Sequence, residues 1–227
     1  MLTATDTARA LVAQACGALK VFPLPGAVVL PGTPAPLHIF EPRYRQMTAD
    51  ALEGDRVLAL AALVSEGGAV QDRAPVHPIA GVGLIETDER RPDGRYDLLV
   101  RGVARVRLVS ELANGKPYRE FKAEVLEDVW PAGGAAALAR ERGALEQLVF
   151  ELVQVLPPES GAAQLAHAAA RTTNPSALAD LVAAAVVSEP DKRLAVLEEL
   201  DVGERLALVM SEIAGVVLML SKHAPSA

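Results

Sequence analysis

Four histidines, one cysteine and a single Gly-Lys pair are where chemistry would first be sought in these 227 residues. A metal site draws on His and Cys three or four residues apart, so that their donor atoms converge on one ion. His38, His77, His167 and His223 fall in different expected elements, and none has a second His or a Cys at i+3 or i+4. Neither a metal nor any other cofactor is therefore expected. A phosphate loop needs G-x-x-x-x-G-K-[ST], whose backbone N–H groups cradle the anion. Gly115-Lys116 is followed by Pro117 and has no glycine five residues earlier, so it reads as a turn. The nucleophile elbow G-x-S-x-G and the zinc helix H-E-x-x-H are both absent. The residues point to a protein that is not an enzyme.

Composition sets the frame for that reading. The chain is 51% hydrophobic and only 4% aromatic, so a sizeable core must be packed from Ala, Leu and Val. The lone Cys16 forbids an internal disulfide and is compatible with a reducing compartment, which makes the cytoplasm the expected location. Ala13-Gln14-Ala15-Cys16 is a faint match to a lipoprotein cleavage site, discounted because Asp6 and Arg9 break the preceding apolar stretch. The run Leu206 to Leu220 is interrupted by Glu212, too short for a span of about 20 apolar residues, so no membrane association is expected. Basic residues number 15 against 17 acidic ones up to Trp130, and 7 against 12 beyond it. Neither half carries the basic excess that phosphate neutralisation requires, which argues against nucleic acid as a partner.

The elements that would position any site begin at Val21 to Tyr44, apolar runs punctuated by six prolines. Each X-Pro pair biases the preceding residue toward extended backbone, and Pro cannot donate to a ladder, which confines it to strand ends or an edge. Strand character is expected at Ala27 to Leu30, between prolines. Glu41-Pro42 opens a short helix, with Tyr44, Met47, Ala51 and Leu52 at helical spacing. Val57 to Leu63 reads as a buried strand before Glu66-Gly67-Gly68. From Tyr96 to Leu112 the chain alternates, with Tyr96, Leu98, Val100, Gly102, Ala104, Val106 and Leu108 on one face. Arg101, Arg105 and Arg107 share the other face, as solvated groups paired with Asp97, Glu111 and other acids. A strand this long bends, and Gly102 is the natural corner. Pro92-Asp93-Gly94 is a turn.

After Trp130-Pro131 and Gly133-Gly134 the period changes to 3.6. Leu145, Leu148, Val149, Leu152, Val155 and Leu156 form one helical face, ended by Pro157-Pro158. A second helix covers about 162 to 171. Asn174-Pro175 caps a third, with Leu178, Leu181, Val182, Ala185 and Val186 expected inward. A fourth runs from about 190 to 200. Asp201-x-x-Glu204 is a capping-box variant opening the last helix, with Leu206, Val209, Met210, Ile213, Val217 and Leu220 inward. An N-terminal helix is expected over Thr7 to Leu19. The domain reading is a helical extension at 1–19, a strand-rich subdomain at 20–131 and a helical bundle at 135–222.

Three segments carry a resemblance to the N-terminal domain of the Lon protease family, in a free-standing form. They are FPLPGAVVLPGTPAPLHIFEPRY at Phe22 to Tyr44, GVGLIETDERRPDGRYDLLVRGVARVRLV at Gly81 to Val109, and NPSALADLVAAAVV with DKRLAVLEELDVGERLALV. In the second, Gly102 and Arg105 match the family's strand-ending Gly and the Arg three residues later. The resemblance implies an α+β fold, a PUA-like β-barrel followed by a C-terminal α-helical bundle. It also implies a protein-binding module that recognises polypeptide substrates, without the family's ATPase and protease parts.

Unfolded or extended polypeptides are thus the expected partners, with a protease or a chaperone as companion. Leu37, Ile39, Phe40 and Tyr44 are the candidate contacts, lining a groove between barrel and bundle. The competing role for Phe40 and Tyr44, four apart at a helix start, is to staple that helix onto the barrel. RNA binding is the rival function, since PUA-like barrels elsewhere bind RNA, and Arg101 and Arg105 are its candidate polar contacts.

Overall fold

The computed structural model describes residues 4–64 and 74–223, in two compact units, Met1–Glu127 and Asp128–Ala227. The expected Glu66-Gly67-Gly68 turn lies outside the described residues.

The first unit opens with helix α1 (Ala4–Ala15), then strand β1 (Leu19–Leu24), strand β2 (Pro34–Ile39), helix α2 (Pro42–Glu53) and strand β3 (Val57–Ala62). Strands β4 (Ile79–Arg90), β5 (Tyr96–Glu111) and β6 (Arg119–Leu126) complete it. The helix expected from Thr7 therefore ends earlier, and Leu19 begins a strand. The sheet order is β2-β5-β4-β3-β1-β6, and β5 also pairs with β6. That second pairing closes β5, β4, β3, β1 and β6 into a ring, leaving β2 as an outer strand on β5.

Both faces of β3 are buried, as its unbroken apolar run requires. Val57, Ala59 and Ala61 join Val12 and Ala15 of α1 and Val106 of β5 in one cluster. Leu58 and Leu60 join Met47 and Ala51 of α2 in another, with Tyr96, Leu98 and Val100 of β5. The alternation read in β5 is present, with all seven residues from Tyr96 to Leu108 on that face buried. The Pro92-Asp93-Gly94 turn is also present, with Gly94 at φ +81° and its N–H donating to the Arg91 carbonyl at 2.9 Å.

The run Ala27 to Leu30 is not a strand. Two Pro-Gly turns bracket it. Gly26 takes φ +62° while Ala27 N–H donates to Leu24 O at 3.3 Å, and Gly32 takes φ +78° while Thr33 N–H donates to Leu30 O at 3.1 Å. Proline at the second turn position and glycine at the third reverse the chain each time. Between the turns the backbone crosses the sheet: a Cβ on Gly81 would lie 1.9 Å from Val29 O, and one on Gly102 would lie 2.1 Å from Leu30 O. Gly102 is therefore required by close approach, and the expected irregularity of β5 lies beside it: Val82 pairs with Ala104 and Gly83 with Gly102, so Val103 bulges from β5, while Glu86 bulges from β4 between Ile85 and Thr87.

The second unit holds helices α3 (Ala139–Val155), α4 (Ala162–Arg171), α5 (Pro175–Val186), α6 (Pro190–Glu198) and α7 (Val202–His223). Asn174 Oδ1 accepts from Ala177 N–H at 3.1 Å, the cap expected for α5. Asp201 Oδ1 caps α7, accepting from Gly203 and Glu204 N–H at 2.8 and 3.1 Å. Only half of the capping box forms, because Asp201 N–H donates to Glu199 instead of Glu204. The phase of α5 also differs from expectation. Leu178, Ala179, Val182 and Ala183 are its buried apolar residues, whereas Leu181 is half-buried and Ala185 exposed. An Ala/Leu/Val-rich helix offers apolar residues on several faces, so periodicity alone does not orient it. Polar contacts do: Ser176 and Asp180, both buried, face Arg205 of α7.

Arg205 is fully buried. Its guanidinium donates to Glu199 O at 2.8 Å, Ser176 Oγ at 2.8 Å and Asp128 Oδ1 at 2.7 Å, with Asp180 Oδ2 at 3.9 Å. A buried charge so surrounded is satisfied in hydrogen bonding and in charge.

Candidate functional site

The exposed end of β2 and the start of α2 lie next to each other in sequence, and their geometry follows from proline. Gly102 N–H donates to Thr33 O at 2.9 Å, so the next inward-facing residues of β2 are Ala35, Leu37 and Ile39. Pro34, Pro36 and His38 turn their backbone outward, where β2 has no strand partner among the described residues. Two of those three positions lack an N–H. The edge cannot template an incoming strand, a common device against unwanted pairing.

What this end offers is side chains. Phe40 is 58% exposed, and its ring stacks with His38 at a centroid distance of 6.2 Å and 26° between planes. His38 Nδ1 lies 2.6 Å from Asp97 Oδ1, and Arg91 donates to the same carboxylate. The His38 ring first, then the Arg91 guanidinium, hold the Asp97 carboxyl below its usual range.

A cleft of about 390 Å³ lies against the first turn of α2, lined by Arg43, Tyr44 and the 111–119 connection from β5 to β6. At it, Lys116 Nζ donates to Tyr118 Oη at 2.7 Å and approaches Asp50 Oδ2 and Glu120 Oε1, each at 3.2 Å. The Tyr118 hydroxyl donates in turn to Asp50, and Asn114 Nδ2 to Glu120. The Tyr118 hydrogen bond is the largest influence holding Asp50 below its usual range. Burial, then the Asp50 hydrogen bond, push Tyr118 up to about 12, and Lys116 is raised chiefly by its bond to Tyr118. All three shifts move away from neutrality, the reverse of what proton transfer at pH 7 needs. The network holds the connection in place and presents hydrogen-bonding groups.

The residues chosen from sequence separate on burial. Phe40 is exposed and Leu37 half-buried, while Ile39 at 1% and Tyr44 at 5% belong to the core. Tyr44 does staple α2, meeting Phe22 edge-on at 4.5 Å between centroids, and Phe40 takes no part in that. The arginine face is also different from the expectation. Arg101 makes a two-pronged pair with Glu86 at 2.8 and 3.0 Å, while Asp97 pairs with His38 and Arg91, and Glu111 with Arg119. Arg105 is 4% exposed and so is no solvated group. Asp50, Lys116, Tyr118 and Glu120 were missed as a group. Lys116, Tyr118 and Glu120 stand at alternate positions leading into β6 and could have been found, but Asp50 comes from a helix 68 residues away in sequence from Tyr118.

Among the described residues no group of three His, Cys, Asp or Glu could hold a metal ion, and no helix is long and apolar enough to cross a membrane. Cys16 is buried, which pushes its thiol up.

A strand ring with an outer proline-bearing strand, followed by helices, defines a class, and the comparisons agree on which. The family model for the ATP-dependent protease La (LON) substrate-binding domain matches residues 18–215, and the chain belongs to that family. Lon protease of Roseiflexus castenholzii is 31% identical over 196 residues, 85% of this chain but 23% of that protease. Lon protease of Salinispora arenicola is 34% identical over 163 residues, 71% of this chain and 19% of that one. The chain thus spans less than a quarter of the length of these relatives. Among solved structures, the N-terminal domain of Mycobacterium avium complex Lon protease aligns with TM-score 0.68 at 20% identity, covering 87% of this chain and 98% of that domain. A Lon N-terminal domain protein from Xanthomonas campestris aligns with TM-score 0.57 at 18% identity, covering 86% and 97%.

Proposed function

We propose that this chain is a non-catalytic polypeptide-recognition module that contacts unfolded or extended segments through side chains at the Phe40 end of β2 and in the neighbouring cleft. Membership of a substrate-binding-domain family is the observation that carries the reading. Phe40 supports it, as a large apolar ring left 58% exposed in a chain that is only 4% aromatic. The cleft adds polar groups of fixed position. The prolines of β2 make the contact one of side chains rather than of strand addition.

The RNA reading has less behind it. Arg101 and Arg119 are each engaged with a carboxylate, Arg105 is buried, and the chain carries a net charge of −7. Titrating a labelled unfolded protein and a labelled RNA at about 50 and 200 mM salt separates the two classes, since phosphate-driven binding falls steeply with salt and apolar burial does not. Polypeptide binding that persists at the higher salt and weakens with Phe40→Ala is the expected result. Tight RNA binding lost with salt and with Arg101→Ala would replace the proposal.

A further inference from the structure

Helix α7 has two faces. Leu206, Val209 and Ile213 are fully buried within the second unit. On the outer side Glu204, Leu208, Ser211, Gly215, Leu218 and Lys222 are all exposed, and they recur at intervals of four, three, four, three and four residues. That is the spacing of a helix–helix seam, sustained for about 27 Å of helix. Between its charged ends the seam carries no charge. Glu212, the one acid in that stretch, is half-buried and paired with Lys192 at 3.1 Å.

From this pattern we infer that α7 pairs antiparallel with α7 of a second copy of this chain. The seam is complementary to itself in that direction only. Aligning two copies about Ile213 sets Leu208 of one against Leu218 of the other, Ser211 against Gly215, and Glu204 against Lys222. Parallel pairing would instead oppose Glu204 with Glu204 and Lys222 with Lys222. Neither Glu204 nor Lys222 has an ion-pair partner among the described residues, so the second copy supplies one. Gly215 is a separate indication. Glycine is unfavourable inside a helix, and a Cβ there would meet nothing within 4 Å, so the folded chain itself gives no reason for it. A helix crossing closely at Ser211 and Gly215 does give one.

A six-residue seam is small, so the association is weak and concentration-dependent. Sedimentation equilibrium from about 5 to 500 μM tests it, with the melting temperature of each variant as a control for folding. The wild type moves toward a dimer as concentration rises, and Leu218→Glu, a change at an exposed position, stays monomeric. Lys222→Glu raises Kd by about tenfold or more, and adding Glu204→Lys to it restores the dimer. A wild type that is monomeric throughout, or a dimer indifferent to Leu218→Glu, overturns the pairing. A double variant no tighter than Lys222→Glu alone overturns the antiparallel register.

Discussion

Each of the two units is stabilised internally by a different kind of contact. In the strand unit the critical contacts are backbone against backbone, at Gly81 and Gly102, where the chain between two Pro-Gly turns lies on the sheet with no room for a methyl group. In the helical unit a fully buried arginine ties Ser176, Asp128 and the end of α6 together. The first kind of contact is broken by adding an atom, the second by removing the charge at its centre. The comparison also separates the glycines: those of the sheet are required by shape, whereas Gly143 in α3 has nothing within 4 Å of an added Cβ.

The largest expected effect is in the helical unit. Arg205→Ala takes a shared donor from Asp128 and Ser176 and a nearby positive charge from buried Asp180, and should cost about 3 to 5 kcal/mol in urea unfolding. A loss below about 1 kcal/mol would mean that the arginine is incidental. Next comes the phase of α5. Leu178→Ala, at a fully buried position, should cost about 2 to 5 kcal/mol, and Leu181→Ala clearly less because that side chain is half-exposed. Reversal of that order would put the helix back in the phase its sequence suggested.

The glycine contrast comes third. Gly102→Ala should cost about 1 to 3 kcal/mol through overpacking against Leu30 O, while Gly143→Ala should stabilise by about 0.5 to 1 kcal/mol. Equal effects at the two sites would erase the distinction between the units. Smallest is the cleft network. Asp50 has a lowered folded pKa, so its contribution is present above the ordinary carboxylate value and is lost as pH falls through the folded one. Tyr118, raised to about 12 from 10.0, contributes below pH 10 and loses that contribution as pH rises toward 12. Tyr118→Phe should therefore lower stability by about 1 kcal/mol at neutral pH and flatten both limbs of the stability profile. A profile unchanged in shape would show that the network stabilises nothing.

How much of this was legible depended on whether the cause was local. The α2 start at Glu41-Pro42, the Asn174 cap and the β5 alternation each follow from residues a few positions apart, and all could be read. The false strand at Ala27 to Leu30 came from weighing apolar character over the Pro25-Gly26 and Pro31-Gly32 turns on either side of it. The α5 phase was hidden because the group that orients it, Arg205, lies 29 residues from Ser176 in sequence. At the candidate site, burial was the missing quantity. Leu37, Ile39, Phe40 and Tyr44 look alike in sequence, yet the strand pleat and the helix start leave only Phe40 exposed and bury Ile39 and Tyr44.

Polypeptide recognition at the Phe40 end of β2 is the central claim, and amide and side-chain NMR spectra of the protein titrated with an unfolded polypeptide test it most directly. The expected result is that shift changes gather at Leu37, His38, Phe40 and Arg43 and shrink in Phe40→Ala, while the spectrum of the helical unit stays in place. Changes confined to the helical unit, or gathered around Arg101 and equally large in Phe40→Ala, would contradict it.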